Sequence, residues 1–434
     1  MLDEILIIGG GMGGLTAALS LHAAGFNVHV FESAPEIRPL GVGLNLLPHA
    51  ARELDDLGLL ASLAATGVRC SAIAYHTKRG EPIWSEPRGM AAGYRWPQVS
   101  IHRGALQLDL LAAAEQRIGR DRIHLGHHLA AFEAIPGGVR AEFTARDADT
   151  RGDFVARNNP PREEARGRLL IAADGIHSAV RRAFYPDEGP PRWNGAVMWR
   201  GVAEAAPFLD GTTMIMAGHE RLKFVCYPIS HQASRPGLHR INFVAEIRYD
   251  RTELSEREDW NKPGRLEDFL PSFADWHFDW LDVPGLIRAA PETFVYPMID
   301  RDPLPRWTFG PITLLGDAAH PMYPIGSNGA SQAILDARTL TGCLRHYHAD
   351  LERGLERYEA IRREATSAIV FANRQQGPEI GMQLVEDRAP NGFTRLHDVI
   401  SEQELQQIAD KYKQVAGFAI AALNDRPSLA EPTP

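Results

Sequence analysis

The sequence predicts an α/β fold: a βαβ-type module, interrupted by a mainly antiparallel β-sheet and followed by C-terminal helices. Three observations predict it. The chain opens as strand, glycine turn, helix, strand, a unit whose strands must run parallel. Two short apolar runs much later, Leu169 to Ala173 and Ile312 to Leu315, each enter a glycine-containing turn. Between them, from about 193 to 296, lies a β-rich stretch punctuated by turn residues.

Ile5 to Ile8 reads as the first strand and Val28 to Phe31 as the second. Leu15, Ala18, Leu19 and His22 share one face of the helix between them, which Gly25 ends. Leu106, Leu110 and Leu111 mark an amphipathic helix starting after Arg103. Gly126 to Phe143 reads as strands, and Ala145 to Arg168, crowded with charge and proline, as a solvated loop. Within the interrupting region the β-runs are Ala196–Val202, Thr212–Ala217, Lys223–Ile229 and Arg240–Ile247. Helices are predicted from about Gly329 and over Leu351 to Asn373. The tail after Pro378 is weakly patterned, and Asn424 to Pro434 reads as loose. The expected division is a nucleotide module of residues 1–68, 102–190 and 300–377, a substrate module of 69–101 and 191–299, and a C-terminal helical segment with a loose tail over 378–434.

Composition narrows the function. The 434 residues are 44% hydrophobic and 23% charged, ordinary for a globular protein with a large core. A net charge of −9 argues against a nucleic-acid partner. Cys70, Cys226 and Cys343 form neither a CxxC pair nor a metal spacing, so isolated reduced thiols and no metal are expected. Met1-Leu2-Asp3-Glu4 is no signal-peptide start, and no stretch is apolar enough to cross a bilayer, so the expectation is a cytoplasmic protein without membrane contact.

The chemistry sits on glycine. Gly9, Gly11 and Gly14, with Met12 and Gly13 among them, fit G-x-G-x-x-G. The first glycine permits the tight turn, the second lets the backbone approach a pyrophosphate, and the third lets the helix pack against the strand. The helix N-terminus offers free N–H groups to the phosphates. Glu32 closes the second strand 18 residues after Gly14, where a carboxylate accepts ribose hydroxyls and repels a 2′-phosphate, favouring FAD or NAD over NADP. The strand ending at Leu315 leads into Gly316-Asp317-Ala318-Ala319-His320, then Pro324-Ile325-Gly326-Ser327-Asn328-Gly329-Ala330. Asp317 can accept a sugar hydroxyl or simply cap a helix. The turn at Gly329 and Ala330 offers N–H groups to an electron-rich ring edge. Only a long cofactor needs both regions.

With Ala173-Asp174-Gly175 between them, these segments in this order resemble the group A FAD monooxygenases, similar to p-hydroxybenzoate and salicylate hydroxylases, over roughly residues 1 to 375. The resemblance implies a Rossmann-type FAD-binding domain with an inserted substrate sheet, bound FAD, and transient NADH or NADPH. It implies hydroxylation of an aromatic or heteroaromatic small molecule with O₂ through a C4a-hydroperoxyflavin, with or without loss of a carboxylate. No side chain then need be the nucleophile. It places Asp174, Arg103, Arg38, Gly43, Gly316, Asp317 and Gly326 around FAD, and Pro324 and Gly326 beside the flavin ring and substrate. Glu36 to Gly43, Trp84-Ser85-Glu86-Pro87-Arg88-Gly89, Met198 to Val202 and Tyr296 to Pro305 resemble the phenazine-modifying branch, of 5-methylphenazine-1-carboxylate 1-monooxygenase type. Many relatives carry asparagine where Ser331 stands here.

Met198, Trp199, Met214, Met216, Phe224, Tyr227, Phe243 and Tyr296 are candidates to line the pocket, with Arg200 as an anion contact or an inter-strand ion pair. His49 reads as structural. No second G-x-G-x-x-G suggests a separate NAD(P)H domain, and Trp276 to Trp280 lacks the halogenase W-x-W-x-I-P pattern. An FAD-dependent oxidase or dehydrogenase and a non-catalytic nucleotide sensor are the alternatives.

Overall fold

The computed structural model describes residues 4–148, 154–156, 162–251 and 262–432. Its organising element is a six-stranded sheet. From edge to edge the strands are Thr308–Phe309, Ile312–Leu314, Leu169–Ala172, Glu4–Ile8, Asn27–Glu32 and Ile123–Leu125. All neighbours are parallel except the first pair. Ile5 to Ile8 are buried throughout, as expected of a strand covered on both faces. Helices Met12–Ala23, Arg103–Ile118 and Gly329–His346 share one core with this sheet through Leu15, Leu19, Leu106, Leu110, Ile334 and Leu340. His22, predicted on the buried face of the first helix, is exposed.

The interrupting sheet has seven strands, in the order Thr293–Asp300, Arg192–Ala205, His239–Arg248, Leu222–Ser230, Met214–His219, Ala72–His76 and Pro82–Pro87. Only Met214–His219 and Ala72–His76 pair in parallel. The observed architecture is therefore the α/β fold with a mainly antiparallel second sheet that the sequence predicts. A third, small sheet of Gly43–Leu46, Gln98–His102 and Val68–Cys70 lies between the glycine turns and the large sheet.

Two expectations fail. Residues 145–168 are not a plain loop: Arg162–Gly167 pairs antiparallel with Gly138–Ala148 from Val139↔Gly167 to Thr144↔Arg162. Glu163, Glu164 and Arg166 are exposed, so the strand carries charge without burying it. Residues 149–153 and 157–161 of that stretch lie outside the described residues. Nor are residues 424–432 loose, the described part of the stretch read as such; the helical segment before them forms as expected. Helices Ile380–Arg388, Glu402–Val415 and Ile420–Asp425 pack on the body. Beyond them Arg426 pairs with Glu53 at 3.0 Å, and the Ser428 hydroxyl donates to Asp56 at 3.0 Å. Among the described residues no helix is long and apolar enough to cross a membrane.

Candidate functional site

The three glycine-centred segments meet at the carboxyl ends of the parallel strands. Gly9 N–H donates to Phe31 O at 2.8 Å, Ala173 N–H to Ile8 O at 2.7 Å, and Leu315 N–H to Ala172 O at 2.8 Å. Gly9 takes φ +108°, and a Cβ there would overlap the Ala173 carbonyl. A Cβ on Gly14 would overlap the Gly9 carbonyl, which is the close helix–strand approach read from the motif. Gly13 is closed in by Leu315. Gly11 differs: a Cβ there would meet nothing within 4 Å. The helix beginning at Met12 has no side-chain cap, so its first N–H groups face that open space. This cradle fits a dinucleotide pyrophosphate.

Glu32 holds the cradle in shape. Its Oε2 accepts from Gly10 N–H and its Oε1 from Ala34 N–H, both at 2.7 Å. An ionised carboxylate offers about four lone-pair directions, and with the Ser33 hydroxyl also donating to Oε1 at 3.1 Å one is left for a ribose hydroxyl. Asp174 caps the next turn, accepting from Ala179 N–H at 2.8 Å, while its Oδ1 is buried without a partner. Burial pushes its carboxyl pKa up, against Ser178 and the backbone N–H groups that favour its ionised form. Arg103 heads the helix Arg103–Ile118 with its side chain exposed. Its N–H donates to Val42 O at 2.9 Å. Arg38 lies half exposed on the preceding loop, paired with Glu36 at 2.9 Å. Gly43 N–H donates to Asn242 Oδ1 at 2.7 Å, and its carbonyl accepts from Arg200 Nη2 at 2.6 Å, tying the first module to the large sheet.

On the opposite side, Gly316 takes φ +62° and its N–H donates to Asp336 Oδ2 at 3.0 Å. The Asp336 carboxylate also meets His320 Nε2 at 2.5 Å and Arg362 Nε at 2.7 Å. Burial opposes its ionisation, but His320 and Arg362 outweigh that and hold its pKa down to about 2. Arg181 Nη1 donates to Ala318 and Ala319 carbonyls at 3.1 and 2.9 Å. Asp317 is thereby turned out of the packed interior. Its side chain is exposed, yet the surrounding protein raises its pKa, offset by His320 and Arg103. The carboxylate is therefore accessible while the wall around it is packed.

The 324–329 turn depends on the C-terminal helices. Gly326 takes φ +67° and Ser327 φ +58°. The Tyr412 hydroxyl accepts from Asn328 Nδ2 at 2.8 Å and donates to Asn373 Oδ1 at 2.7 Å, with Ile325 O at 3.2 Å. Helix Gly329–His346 starts without a side-chain cap, and Gly329 faces open space. The Ser331 hydroxyl accepts from Leu47 N–H at 3.2 Å. His49 is fully buried against Gln332 Nε2 at 3.2 Å, and burial, then Arg426 and Arg362, lower its pKa to about 3, so it is a neutral structural residue.

A cavity opens beside Gly326 and Ser327, lined by Leu47, Ile73, Tyr75, Arg88, Gln98, Met214, Met216, Pro378, Tyr412 and Phe418. Of the residues proposed from sequence for the pocket, Met214, Met216 and Gly326 line this cavity. Pro324 is exposed at the turn's start and does not line the cavity. Tyr227 and Arg200 share the sheet face of Met214 but sit apart from the cavity, with Arg200 5.8 Å over the Tyr296 ring. Phe224 is corrected: it points from the other face. There Trp199, Phe224 and Phe243 pack with Phe269 and Phe273 in a closed core. Strand alternation decides this, and a fully apolar strand hides which parity faces inward. Sequence reasoning missed Asp336, Arg362, Arg181, Tyr412 and Asn373. Asp336 carried one available signal, a carboxylate breaking the apolar run Ala333 to Ala337.

The geometry is that of a long-dinucleotide site with an adjoining apolar pocket, and known proteins agree. Residues 3–372 match the family described as FAD binding domain. The phenazine 1,6-dicarboxylic acid hydroxylase PhzS of Lysobacter antibioticus is 46% identical over 375 residues, 86% of this chain and 89% of that protein.

This chain belongs to the FAD-binding aromatic hydroxylase family.

The aurachin C monooxygenase/isomerase of Stigmatella aurantiaca is 32% identical, over 86% of this chain and 88% of that protein. A salicylate hydroxylase substrate complex shares the fold, with a TM-score of 0.72 at 22% identity over 100% of this chain and 99% of that one. The cofactor is FAD, and the enzyme class is the flavin monooxygenase that the sequence implies, rather than the oxidase alternative.

Proposed function

We propose that this enzyme uses NAD(P)H and O₂ to hydroxylate a fused heteroaromatic acid of the phenazine carboxylate class. The observation that carries the proposal is the cavity against the Gly326 turn. Its walls of Leu47, Ile73, Met214, Met216 and Phe418 suit a flat ring system, and methionine adapts to irregular aromatic edges. The Lysobacter relative is named for a phenazine dicarboxylic acid, and that supports the same class here. Residues 69–101 and 191–299 form the substrate module in this reading.

FAD, when bound, supplies the hydride-accepting and oxygen-activating chemistry. The chain's residues hold and shield it. Gly9, Gly11, Met12, Gly13 and Gly14 receive the pyrophosphate, and Glu32 the ribose. Asp317, Arg103, Arg38, Gly43, Gly316 and the Asp174 turn flank the rest of the cofactor. Gly326, Gly329 and Ala330 present backbone to the ring. The apolar walls exclude water from the reacting carbon.

The test is oxidation of NADH and NADPH by the FAD-loaded enzyme with phenazine-1-carboxylate, 5-methylphenazine-1-carboxylate and phenazine-1,6-dicarboxylate under ¹⁸O₂. Stimulated oxidation with one ¹⁸O atom in the product supports the reading, and the product mass reports whether the carboxylate leaves as CO₂. Peroxide formed in proportion to substrate consumed, without ¹⁸O in product, returns the assignment to an oxidase.

A further inference from the structure

The Trp84 to Gly89 segment brings a cation to the cavity. Arg88 is the one charged side chain among the described residues that line it. Its placement is built rather than accidental. Arg88 N–H donates to Ser71 O at 2.7 Å. Gly89 follows at φ +52°, and a Cβ there would overlap Gln98 N. The side chain is only 12% exposed, and its Nη2 lies 3.2 Å from Glu86 Oε2. Glu86 is shared, however, because Lys413 also contacts it. Lys413 is in turn shared with Asp410 at 3.3 Å, so Arg88 and Lys413 are balanced by Glu86 and Asp410, and what Arg88 lacks is a hydrogen-bond partner. Tyr75 and Cys70 supply no further anion, since burial raises both above their ordinary pKa values. Arg88 Nε is buried with no hydrogen-bond partner. An unmade bond on a buried charged donor is costly, and such a group calls for an explanation.

We infer that Arg88 is the residue that receives the carboxylate of the aromatic acid, through its free Nε–H, and so selects acids over neutral aromatics. The inference rests on the aromatic-hydroxylase reading and names the recognition element within it. Arg200, the cation favoured by sequence, is otherwise engaged: it donates to the Gly43 carbonyl and sits over Tyr296, outside the cavity. A carboxylate would complete the Arg88 cluster, and its charge-assisted bond is of the stronger kind.

The experiment is calorimetric binding to the FAD-loaded enzyme of two acid/amide pairs: phenazine-1-carboxylate with phenazine-1-carboxamide, and 1-naphthoate with 1-naphthamide. Wild type should favour phenazine acid over amide by about tenfold to a hundredfold, the range of a bond to a charged group. Arg88→Gln should bring the two within about threefold by weakening the acid alone, and Arg88→Lys should keep part of the preference. Flavin content and melting temperature check that both variants fold. If Arg88→Gln weakens acid and amide equally, or wild type binds the phenazines without preference, the role of Arg88 is overturned while the phenazine reading stands. If only the naphthalene pair binds, with an Arg88-dependent preference, the phenazine reading falls and Arg88 stands. If nothing binds, both fall.

Discussion

Tyr412→Phe removes one oxygen, 84 residues from the turn it holds. That hydroxyl accepts from Asn328 Nδ2 at 2.8 Å and donates to Asn373 Oδ1 at 2.7 Å, all three residues being buried. Phenylalanine keeps the ring and its packing with Ile369, Ala416 and Phe418, so the transfer term hardly changes. What changes is two buried polar groups left unmade, at about 1–3 kcal/mol each, with the lower half of that range applying where neighbours relax. The expected loss is therefore about 2–4 kcal/mol, a large share of the 5–15 kcal/mol that holds a typical protein folded. The loss has a functional side. Gly326 and Ser327 both take left-handed backbone, a conformation that persists only where the surroundings impose it. Freed from Tyr412, the turn should relax and FAD affinity should fall about tenfold, which is 1.4 kcal/mol of that same loss. Urea unfolding at fixed FAD concentration measures the first quantity, and quenching of FAD fluorescence on titration with apoprotein the second. A stability change under about 0.5 kcal/mol, the scatter of neutral surface changes, together with unaltered FAD affinity would refute the reasoning.

Two further outcomes follow from the same geometry. Gly14→Ala should yield a protein without flavin: the new Cβ overlaps a backbone carbonyl, no rotamer relieves it, and overpacking costs about 1–3 kcal/mol. The ratio of flavin to protein absorbance after gel filtration checks this, and a yellow Gly14→Ala protein at wild-type ratio contradicts it. His49→Gln should flatten the acid side of the stability profile. Burial holds the folded pKa near 3, below the ordinary 6.5, so the unfolded chain binds a proton that the folded one does not. Stability from this group is intact above pH 6.5 and is lost as pH falls, by about 1.4 kcal/mol per unit, or about 2–3 kcal/mol by pH 4.5. Denaturation series on both proteins between pH 7 and 4.5 should diverge by that amount, and parallel curves would show that His49 does not titrate as described.

The legible parts were local. Gly9, Gly11, Gly14 and Glu32 lie within one continuous unit shaped by backbone and one carboxylate, so spacing alone shows the turn they build. Gly316 and Asp317 were legible for the same reason. The illegible parts join distant segments. Nothing near Gly326 in sequence points to Tyr412, and nothing near Arg88 points to a cavity floor at residue 326. The strand Arg162–Gly167 was hidden because its exposed residues bear charge that reads as loop. Phe224 was misassigned because both faces of its sheet are apolar, one against Phe273 and the other towards the helices of the tail.

The dependence of residue 326 on residue 412 has a bearing on how the protein is made. Synthesis runs from the amino end, so the pyrophosphate cradle emerges from the ribosome hundreds of residues before the strut for its other wall. A nascent chain can therefore fold its opening βαβ unit early but cannot finish the groove until the helix Glu402–Val415 has been translated and has docked. The far wall of the groove is in this sense secured late, because its strut is translated after every segment that it braces.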